Sequence, residues 1–175
     1  MMIDLPTASE VSKYPPDFRA KIAKASRSKG SNYERDVAKK IAAYFGEPWD
    51  SCSFRTKPHG MAQPNGDIQP INQMYERWKS AKLGPLECKN RNSWSFDQIF
   101  KNAEKSELYR YWEKSNKDTN RDDTVLIFTK NGVSDLVMTL DKINYIEPNL
   151  FFNVNQTRFV IQTLKNFLLT NFLPK

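Results

Sequence analysis

The chain is poor in the residues that build disulfide frameworks and zinc sites. Its 175 residues include two cysteines, Cys52 and Cys88, and one histidine, His59. Two distant cysteines exclude a disulfide-stapled scaffold and a paired cysteine metal motif, and a single histidine excludes a histidine-based zinc cluster. We therefore expect a protein of a reducing compartment, in which Cys88 packs as a small hydrophobe.

Long apolar runs and glycine-rich phosphate loops are also missing. The longest apolar tract, near the C-terminus, is interrupted by Lys165, Asn166 and Asn171. It is too short for the roughly 20 apolar residues that a membrane span requires. With no recognisable secretory leader, we expect a soluble, cytoplasmic protein with no membrane partner.

Acidic residues are outnumbered: 20 Asp and Glu stand against 27 Lys and Arg, for a formal net charge of +7. Such an excess indicates a polyanionic partner, although many soluble basic proteins carry as much. The excess is concentrated between residues 13 and 40. This segment is either a phosphate-contacting surface or a solvated arm and helix face, and the sequence leaves both open. Its basic residues are Lys13, Arg19, Lys21, Lys24, Arg27, Lys29, Arg35, Lys39 and Lys40.

The length of the chain fits one domain with a substantial core. Residues 1 to 15 read as a loose polar lead, residues 17 to 27 as a short basic helix, and residues 28 to 31 as a break. We therefore predict a basic N-terminal arm over residues 1–27 and a single domain over residues 28–175.

The next predicted helix begins at Ser31 and ends at Gly46. Its apolar residues recur three or four positions apart, as a core-facing stripe requires. One turn before that stripe stands Glu34. Either Glu34 closes a capping box with Ser31, or its carboxylate faces a cation or a metal near the core; both can hold. The stripe consists of Val37, Ala38, Ile41 and Phe45.

The segment that carries most chemistry runs from Gly66 to Lys89. In a strand, Glu87 and Lys89 project from one face while Cys88 projects from the other. If Asp67 lies on a neighbouring strand, two carboxylates converge beside a lysine, and carboxylates are the ligands of hard cations such as Mg²⁺. We therefore predict a phosphodiester-cleaving site here. A strand over residues 49–57 and a basic loop are expected ahead of it, with a helical excursion between Asp67 and Glu87.

The second half of the chain predicts two helices around a hairpin. Ser95 and Gln98 form a capping box ahead of a helix to about Lys114, and residues 115–123 form a polar loop. Two β-rich runs, 124–129 and 133–140, are joined through an Asn-Gly pair, which is a strong hairpin signal. Apolar residues at helical spacing from Val160 to Phe172 predict a C-terminal helix.

The order helix, strand, strand with Asp67, strand with Glu87-Cys88-Lys89, helix, strand resembles the PD-(D/E)xK nuclease superfamily. Residues 29–35, Lys-Gly-Ser-Asn-Tyr-Glu-Arg, are similar to the Lys-Gly-x-x-x-Glu-Arg opening of archaeal-type and phage Holliday junction resolvases. The resemblance spans roughly residues 28–130. Three features depart from it: Gly66 stands where the motif has proline, the gap from Asp67 to Glu87 is long, and the serine-containing loop of archaeal-type resolvases is not evident around His59.

This resemblance implies an α/β protein with a restriction-endonuclease-like core, a mixed central β-sheet flanked by helices. It also implies a homodimeric endonuclease that needs Mg²⁺, or Mn²⁺ as a substitute, and cuts branched DNA, in the host cytoplasm if phage-encoded. Asp67, Glu87 and the Cys88 carbonyl would bind the metal, Lys89 would position or deprotonate the attacking water, and Glu34 would support a metal. The candidate DNA contacts are Lys29, Arg35, Arg55, Lys57 and Arg91.

Two alternatives remain. The same fold and metal can serve a restriction, repair or recombination nuclease that acts on duplexes, flaps or ends. A basic DNA-binding module, in which the acidic cluster is structural, would bind DNA in a salt-sensitive way without cutting it.

Overall fold

The structure, a computed structural model, describes residues 13–48, 54–56, 66–143, 145–147 and 149–172. Cys52, Lys57 and His59, and with them the basic loop, lie outside the described residues, as does the side chain of Arg55. The described chain forms five α-helices and seven strands. The helices are α1 (Pro16–Tyr44), α2 (Asn72–Ser80), α3 (Phe96–Asn102), α4 (Glu107–Thr119) and α5 (Leu164–Phe172). The strands are β1 (Phe54–Thr56), β2 (Ile68–Pro70), β3 (Leu86–Asn90), β4 (Val125–Thr129), β5 (Leu136–Leu140), β6 (Leu150–Val154) and β7 (Thr157–Thr163).

The strands form one mixed sheet of seven strands in the order β1-β2-β3-β4-β5-β7-β6. Strands β3 and β4 are parallel, and every other neighbouring pair is antiparallel. Two apolar clusters cover the two faces: α1, α2 and α5 pack on one face, and α3 and α4 on the other. This arrangement confirms the predicted α/β class with a mixed central sheet flanked by helices.

Side-chain alternation in β3 and β4 explains why both faces are covered. Cys88 pairs with Ile127, and both pack against α1, whereas Leu126 and Phe128 pack against α4. A strand with apolar residues on both faces needs a layer of helices on each side. Cys88, 6% exposed, is therefore a small core residue, as its sequence predicts.

Helix α1 confirms the predicted apolar stripe but not the predicted break. Val37, Ala38 and Ile41 are fully buried, and the helix ends before Gly46, which has φ +68°. The break at residues 28–31 is wrong, because the helix runs without interruption from Pro16. One glycine inside a helix costs about 1 kcal/mol, which flanking alanines, lysines and arginines offset. The division of the chain at residue 27 stays a prediction.

Continuity of α1 also removes the capping explanation for Glu34. Ser31 lies in mid-helix, so it is no N-cap and forms no capping box with Glu34. The other interpretation, in which the Glu34 carboxylate faces a cation or a metal near the core, stays a prediction. Arg35 instead makes the local contacts here, donating to the Ser31 carbonyl (3.3 Å) and to Asn32 Oδ1 (2.6 Å).

The predicted helix from Ser95 to Lys114 is in fact two helices. Ser95 is the N-cap of α3, since its Oγ accepts from the Gln98 N–H (3.4 Å). The reciprocal half of the capping box is wrong, because Gln98 Oε1 accepts from the Glu107 N–H (3.3 Å) and Nε2 donates to the Ser93 carbonyl (3.0 Å). After a 3₁₀ turn, Ser106 Oγ accepts from the Tyr109 N–H (3.3 Å) and begins α4.

The predicted polar loop over residues 115–123 is also wrong, because α4 extends to Thr119. Trp112, Ser115 and Thr119 are buried at helical spacing, so the polar residues of this turn face the sheet. The helix ends at Asn120, whose φ of 53° is the left-handed conformation common at helix C-termini.

The hairpin of β4 and β5 is confirmed, with Gly132 at φ +76° in its connection. The C-terminal helix is shorter than predicted. Val160 and Ile161 belong to β7, and α5 begins at Leu164. Residues of β7 are buried on both faces, and such a run cannot be told from a buried helix by spacing alone. The hairpin of β6 and β7 was not predicted.

The remaining predictions agree with the described residues. Strand β1 lies inside the predicted segment 49–57, and α2 is the expected helical excursion. Within the described part of the chain, no helix is long and apolar enough to cross a membrane.

Candidate active site

The site is built where β2 begins beside β3. Gly66 forms a bridge with Leu86 and has φ +82°, and a Cβ at this position would lie 2.3 Å from the Leu86 carbonyl oxygen. Proline cannot adopt this conformation, because its ring fixes φ near −65°. The local backbone therefore accounts for glycine where the motif has proline.

Asp67 is fixed by β3 through both its backbone and its side chain. Its N–H donates to the Leu86 carbonyl (2.7 Å), and its Oδ2 accepts from the Cys88 N–H (3.0 Å). The residue is 7% exposed. A buried carboxylate held by a backbone donor has one orientation, which leaves it directed toward the middle of β3.

Glu87 and Lys89 leave β3 on the same face, as predicted. The Lys89 ammonium pairs with Glu87 Oε1, donates to the Cys88 carbonyl (3.3 Å) and lies 3.7 Å from Asp67 Oδ2. Three oxygens from three residues thus surround one positive charge. The structure brings Asp67, Glu87, Cys88 and Lys89 together in the way the sequence predicts.

These three oxygens are the ones assigned above to a metal ion. The Lys89 ammonium lies against two carboxylates and a carbonyl. The same oxygens suit a hard cation, because Mg²⁺ takes oxygen ligands and needs only one or two protein carboxylates. Within the described residues, no group of three His, Cys, Asp or Glu side chains could hold a metal ion. The donor set therefore consists of two side chains and one backbone carbonyl.

Glu34 approaches this region from α1. It follows the buried Tyr33, whose hydroxyl donates to Asp135 Oδ1 (3.1 Å). The pKa of the Cys88 thiol is raised, chiefly by burial and then by the negative charges of Asp67, Glu34 and Glu87. Glu34 is therefore close enough to raise the pKa of Cys88. Among the described residues, it does not complete a group of three metal-binding side chains. Its support of a metal stays a prediction.

Lys89 is held in its charged form. Burial lowers its pKa, but the charges of Glu87 and Asp67 and the hydrogen bond to Glu87 outweigh burial, so the pKa lies above its ordinary value. In this arrangement Lys89 is a proton donor and a positive charge. A general base would need a lowered pKa.

One residue that sequence reasoning missed is Ser115. It is 2% exposed on α4, and its Oγ donates to Glu87 Oε2 (3.4 Å). Thr124 Oγ1, also buried, donates to Asn116 Oδ1 (2.5 Å) and lies 3.4 Å from Ser115 Oγ. The two hydroxyls stand behind Glu87 and limit its rotation. The sequence signal for Ser115 was the helical spacing of Trp112, Ser115 and Thr119. The polar composition of residues 115–123 obscured this spacing.

Of the candidate DNA contacts, Lys29, Arg35 and Arg91 are the ones whose side chains the structure describes, and Lys29 and Arg35 lie on α1. Arg91 Nη1 donates to Ser26 Oγ (3.1 Å), which places the exposed N-terminal half of α1 beside the residue that follows β3. Lys29 is half-buried and Arg35 is exposed on this helix. The basic segment is therefore part of one helix that adjoins the site.

A family model described as "Phage putative PDDEXK endonuclease" matches residues 25–172. The chain belongs to this family. No curated protein and no solved structure matches it. Membership in a PD-(D/E)xK endonuclease family confirms the predicted superfamily and, together with the mixed sheet, the restriction-endonuclease-like fold. The assignment of Asp67, Glu87 and Lys89 to the acidic and lysine positions of the motif stays a prediction. The family description supports a nuclease and is silent on Holliday junctions.

Proposed function

We propose that this chain is a metal-dependent endodeoxyribonuclease that hydrolyses phosphodiester bonds in branched DNA, with the four-way junction as its first candidate substrate. The observation that carries the proposal is the convergence of Asp67 Oδ2, Glu87 Oε1 and the Cys88 carbonyl on the Lys89 ammonium. Family membership and the net charge of +7 support the same assignment.

Asp67, Glu87 and the Cys88 carbonyl would hold Mg²⁺, or Mn²⁺ as a substitute. A divalent ion there supplies positive charge at the scissile phosphate and lowers the pKa of a bound water. The protein keeps the two carboxylates ready through fixed partners: the Cys88 N–H orients Asp67, and Ser115 Oγ orients Glu87. Groups held in place in advance need no reorganisation during the reaction.

Lys89 contributes a charged donor. Its ammonium would donate to a non-bridging phosphate oxygen or to the attacking water, stabilising the negative charge that grows as the water attacks. Glu34, on α1, would support the metal from the Cys88 side of the strand.

The basic helix offers a surface for the DNA backbone. Helix α1 has 29 residues, about 43 Å long, and only its second half is buried. Lys29, Arg35 and Arg91 would contact phosphates, so binding should weaken as salt rises. A homodimer would present two such sites to the two strands of a symmetric junction.

The experiment is a gel assay of the purified protein with Mg²⁺ on a labelled four-way junction, beside matched linear duplex, flap and single strand. Glu87→Gln is the matched control, because it removes one negative charge at nearly constant volume. Paired symmetric nicks on the junction alone, absent with Glu87→Gln, would support a dimeric resolvase. Cutting of the other substrates would keep the nuclease and discard the junction preference.

A DNA-binding module is the second candidate, and the ion pairs of Lys89 favour it. An ammonium that compensates two carboxylates is also what a purely structural acidic cluster requires. This candidate predicts salt-sensitive DNA binding with no cleavage in Mg²⁺ or Mn²⁺.

A further inference from the structure

A pocket opens at the start of β3, where α2, β3 and the segment after α4 meet. Its volume is about 260 Å³. Drug-sized ligands occupy roughly 300–1,000 Å³, so this pocket fits a group about the size of one nucleotide base. Leu86 lines it, and Glu87 is the next residue. The pocket therefore lies at the start of the strand that carries Glu87. The polar and aromatic residues of its wall are Tyr75, Trp78, Lys79, Lys82, Arg121 and Asp123.

Two backbone contacts close the wall of the pocket. A Cβ at Gly84 would lie 1.9 Å from the Asp123 carbonyl oxygen, so only glycine permits this approach. The Val125 N–H donates to the Pro85 carbonyl (2.8 Å). These contacts bring the segment after α4 against the start of β3, and with it Arg121 and Asp123.

The pocket carries uncompensated positive charge. Arg121 and Asp123 pair with each other, through Nε to Oδ1 (2.9 Å) and Nη2 to Oδ2 (2.7 Å). Neither Lys79 nor Lys82, both exposed, makes an ion pair with any residue that the structure describes. The two ammonium groups are therefore available to an anionic ligand.

Tyr75 supplies an aromatic surface beside these charges. Its ring is 48% exposed. Tyr75 and Lys79 are four residues apart on α2, so they share one face of the helix. Trp78 is 5% exposed, and its Nε1 donates to the Gly84 carbonyl (3.0 Å), which fixes the apolar floor. An exposed ring next to lysines is the combination that binds a base by stacking and its phosphate by charge.

Lys82 occupies a backbone position that favours glycine. Its φ is 54°, its N–H donates to the Lys79 carbonyl (3.0 Å), and the Leu83 N–H donates to the Trp78 carbonyl (3.3 Å). This is the Schellman ending of a helix, in which the left-handed residue is usually glycine. Glycine is therefore a substitution that the backbone at this position accepts.

We propose that this pocket binds an unpaired nucleotide of the DNA substrate. The inference rests on the proposed function and narrows its substrate to DNA with an unpaired nucleotide at a branch point or an end. The base stacks on Tyr75 over the apolar floor, and the neighbouring phosphates contact Lys79 and Lys82. A fully paired duplex cannot fill the pocket, because its bases are stacked inside the helix.

The test measures binding without cleavage. Fluorescence anisotropy in EDTA compares a nicked duplex with the same duplex carrying one unpaired 2-aminopurine nucleotide at the nick. Because stacking on an aromatic ring contributes about 1–3 kcal/mol per base, the protein should prefer the unpaired form about 5- to 150-fold, and 2-aminopurine fluorescence should be quenched. Tyr75→Ala should lose both the preference and the quenching, and Tyr75→Phe should keep them.

Two lysine variants separate the pocket from general charge. Lys79→Ala should weaken binding of the unpaired form more than Lys142→Ala, which removes an exposed lysine from the turn after β5. Lys82→Gly should weaken the same binding while keeping or raising the thermal midpoint, since glycine suits the left-handed position. A loss of binding in this variant cannot be attributed to unfolding.

Two results would overturn the proposed pocket. One is a Tyr75→Ala protein that keeps the parent's preference for the unpaired form and its fluorescence quenching. The other is a parent protein that shows no such preference. If that parent still cuts branched DNA with Mg²⁺, the proposed function stands without the pocket. A parent that binds none of these DNAs overturns both.

Discussion

Replacing Asp67 in two ways separates its structural contact from its chemical one. Asp67→Asn keeps an oxygen that can accept from the Cys88 N–H, whereas Asp67→Ala leaves that buried donor without its acceptor. A buried donor left unsatisfied costs about 1–3 kcal/mol. For a chain of this size, each 1 kcal/mol lowers the thermal midpoint by about 2–4 °C. We therefore expect Asp67→Ala to melt about 2–12 °C lower, and Asp67→Asn within about 4 °C of the parent.

Both variants should lose cleavage to the same degree. Each variant removes a carboxylate that would bind the metal directly. Removing a residue that only orients a metal ligand lowers activity by up to about 100-fold, so we expect cleavage to fall by at least about 100-fold. DNA binding should persist or strengthen, because one negative charge near the phosphates is gone. The assays are thermal denaturation followed by circular dichroism, single-turnover cleavage with Mg²⁺ and DNA binding in EDTA. Equal melting of the two variants would refute the role of the Cys88 contact, and parental cleavage by Asp67→Asn would refute the role of the carboxylate.

Other residues give three shorter predictions. Gly66→Ala should lose both stability and cleavage, because its Cβ would meet the Leu86 carbonyl. Gly132→Ala has a similar φ with open space around it, so it should cost only about 1–2 kcal/mol and leave cleavage intact. Equal denaturation midpoints for the two variants would contradict this prediction. Ser115→Ala should slow cleavage about 2- to 10-fold through a less fixed Glu87, and unchanged single-turnover rates would remove that role. Cys88, whose pKa is raised chiefly by burial, should stay protonated and resist iodoacetamide at pH 8 until urea is added; peptide mass mapping that finds it alkylated in the native protein would refute this.

The grouping of Asp67, Glu87 and Lys89 could be predicted because it follows largely from strand geometry. Alternation in β3 fixes Glu87 and Lys89 on one face, and the short pairing with β2 brings Asp67 beside them. The left-handed Gly66 was not foreseen as a requirement. It follows from the close approach of Leu86, a contact between strands that no local pattern reports.

Two of the errors in the fold share one cause, which is the tertiary burial of segments that look polar or ambiguous locally. Ser115 and Thr119 are polar, yet they face the sheet, so a helix was read as a loop. Val160 and Ile161 have helical spacing to later apolar residues, yet burial on both faces makes them a strand. Helix α1 passes through Gly30 because its flanking residues favour helix strongly enough.

The measurement that tests the central claim most directly is nicking of a supercoiled plasmid that extrudes a cruciform, with Mg²⁺, by the parent and by Glu87→Gln. Such a circle offers a four-way junction and no ends, so any cut is endonucleolytic. The parent should convert the plasmid to nicked or linear form, and Glu87→Gln should bind it and leave it intact. A parent that binds the plasmid without cutting it in Mg²⁺ or Mn²⁺, or a Glu87→Gln protein that cuts at the parental rate, would contradict the assignment of Asp67, Glu87, Cys88 and Lys89 as a nuclease site.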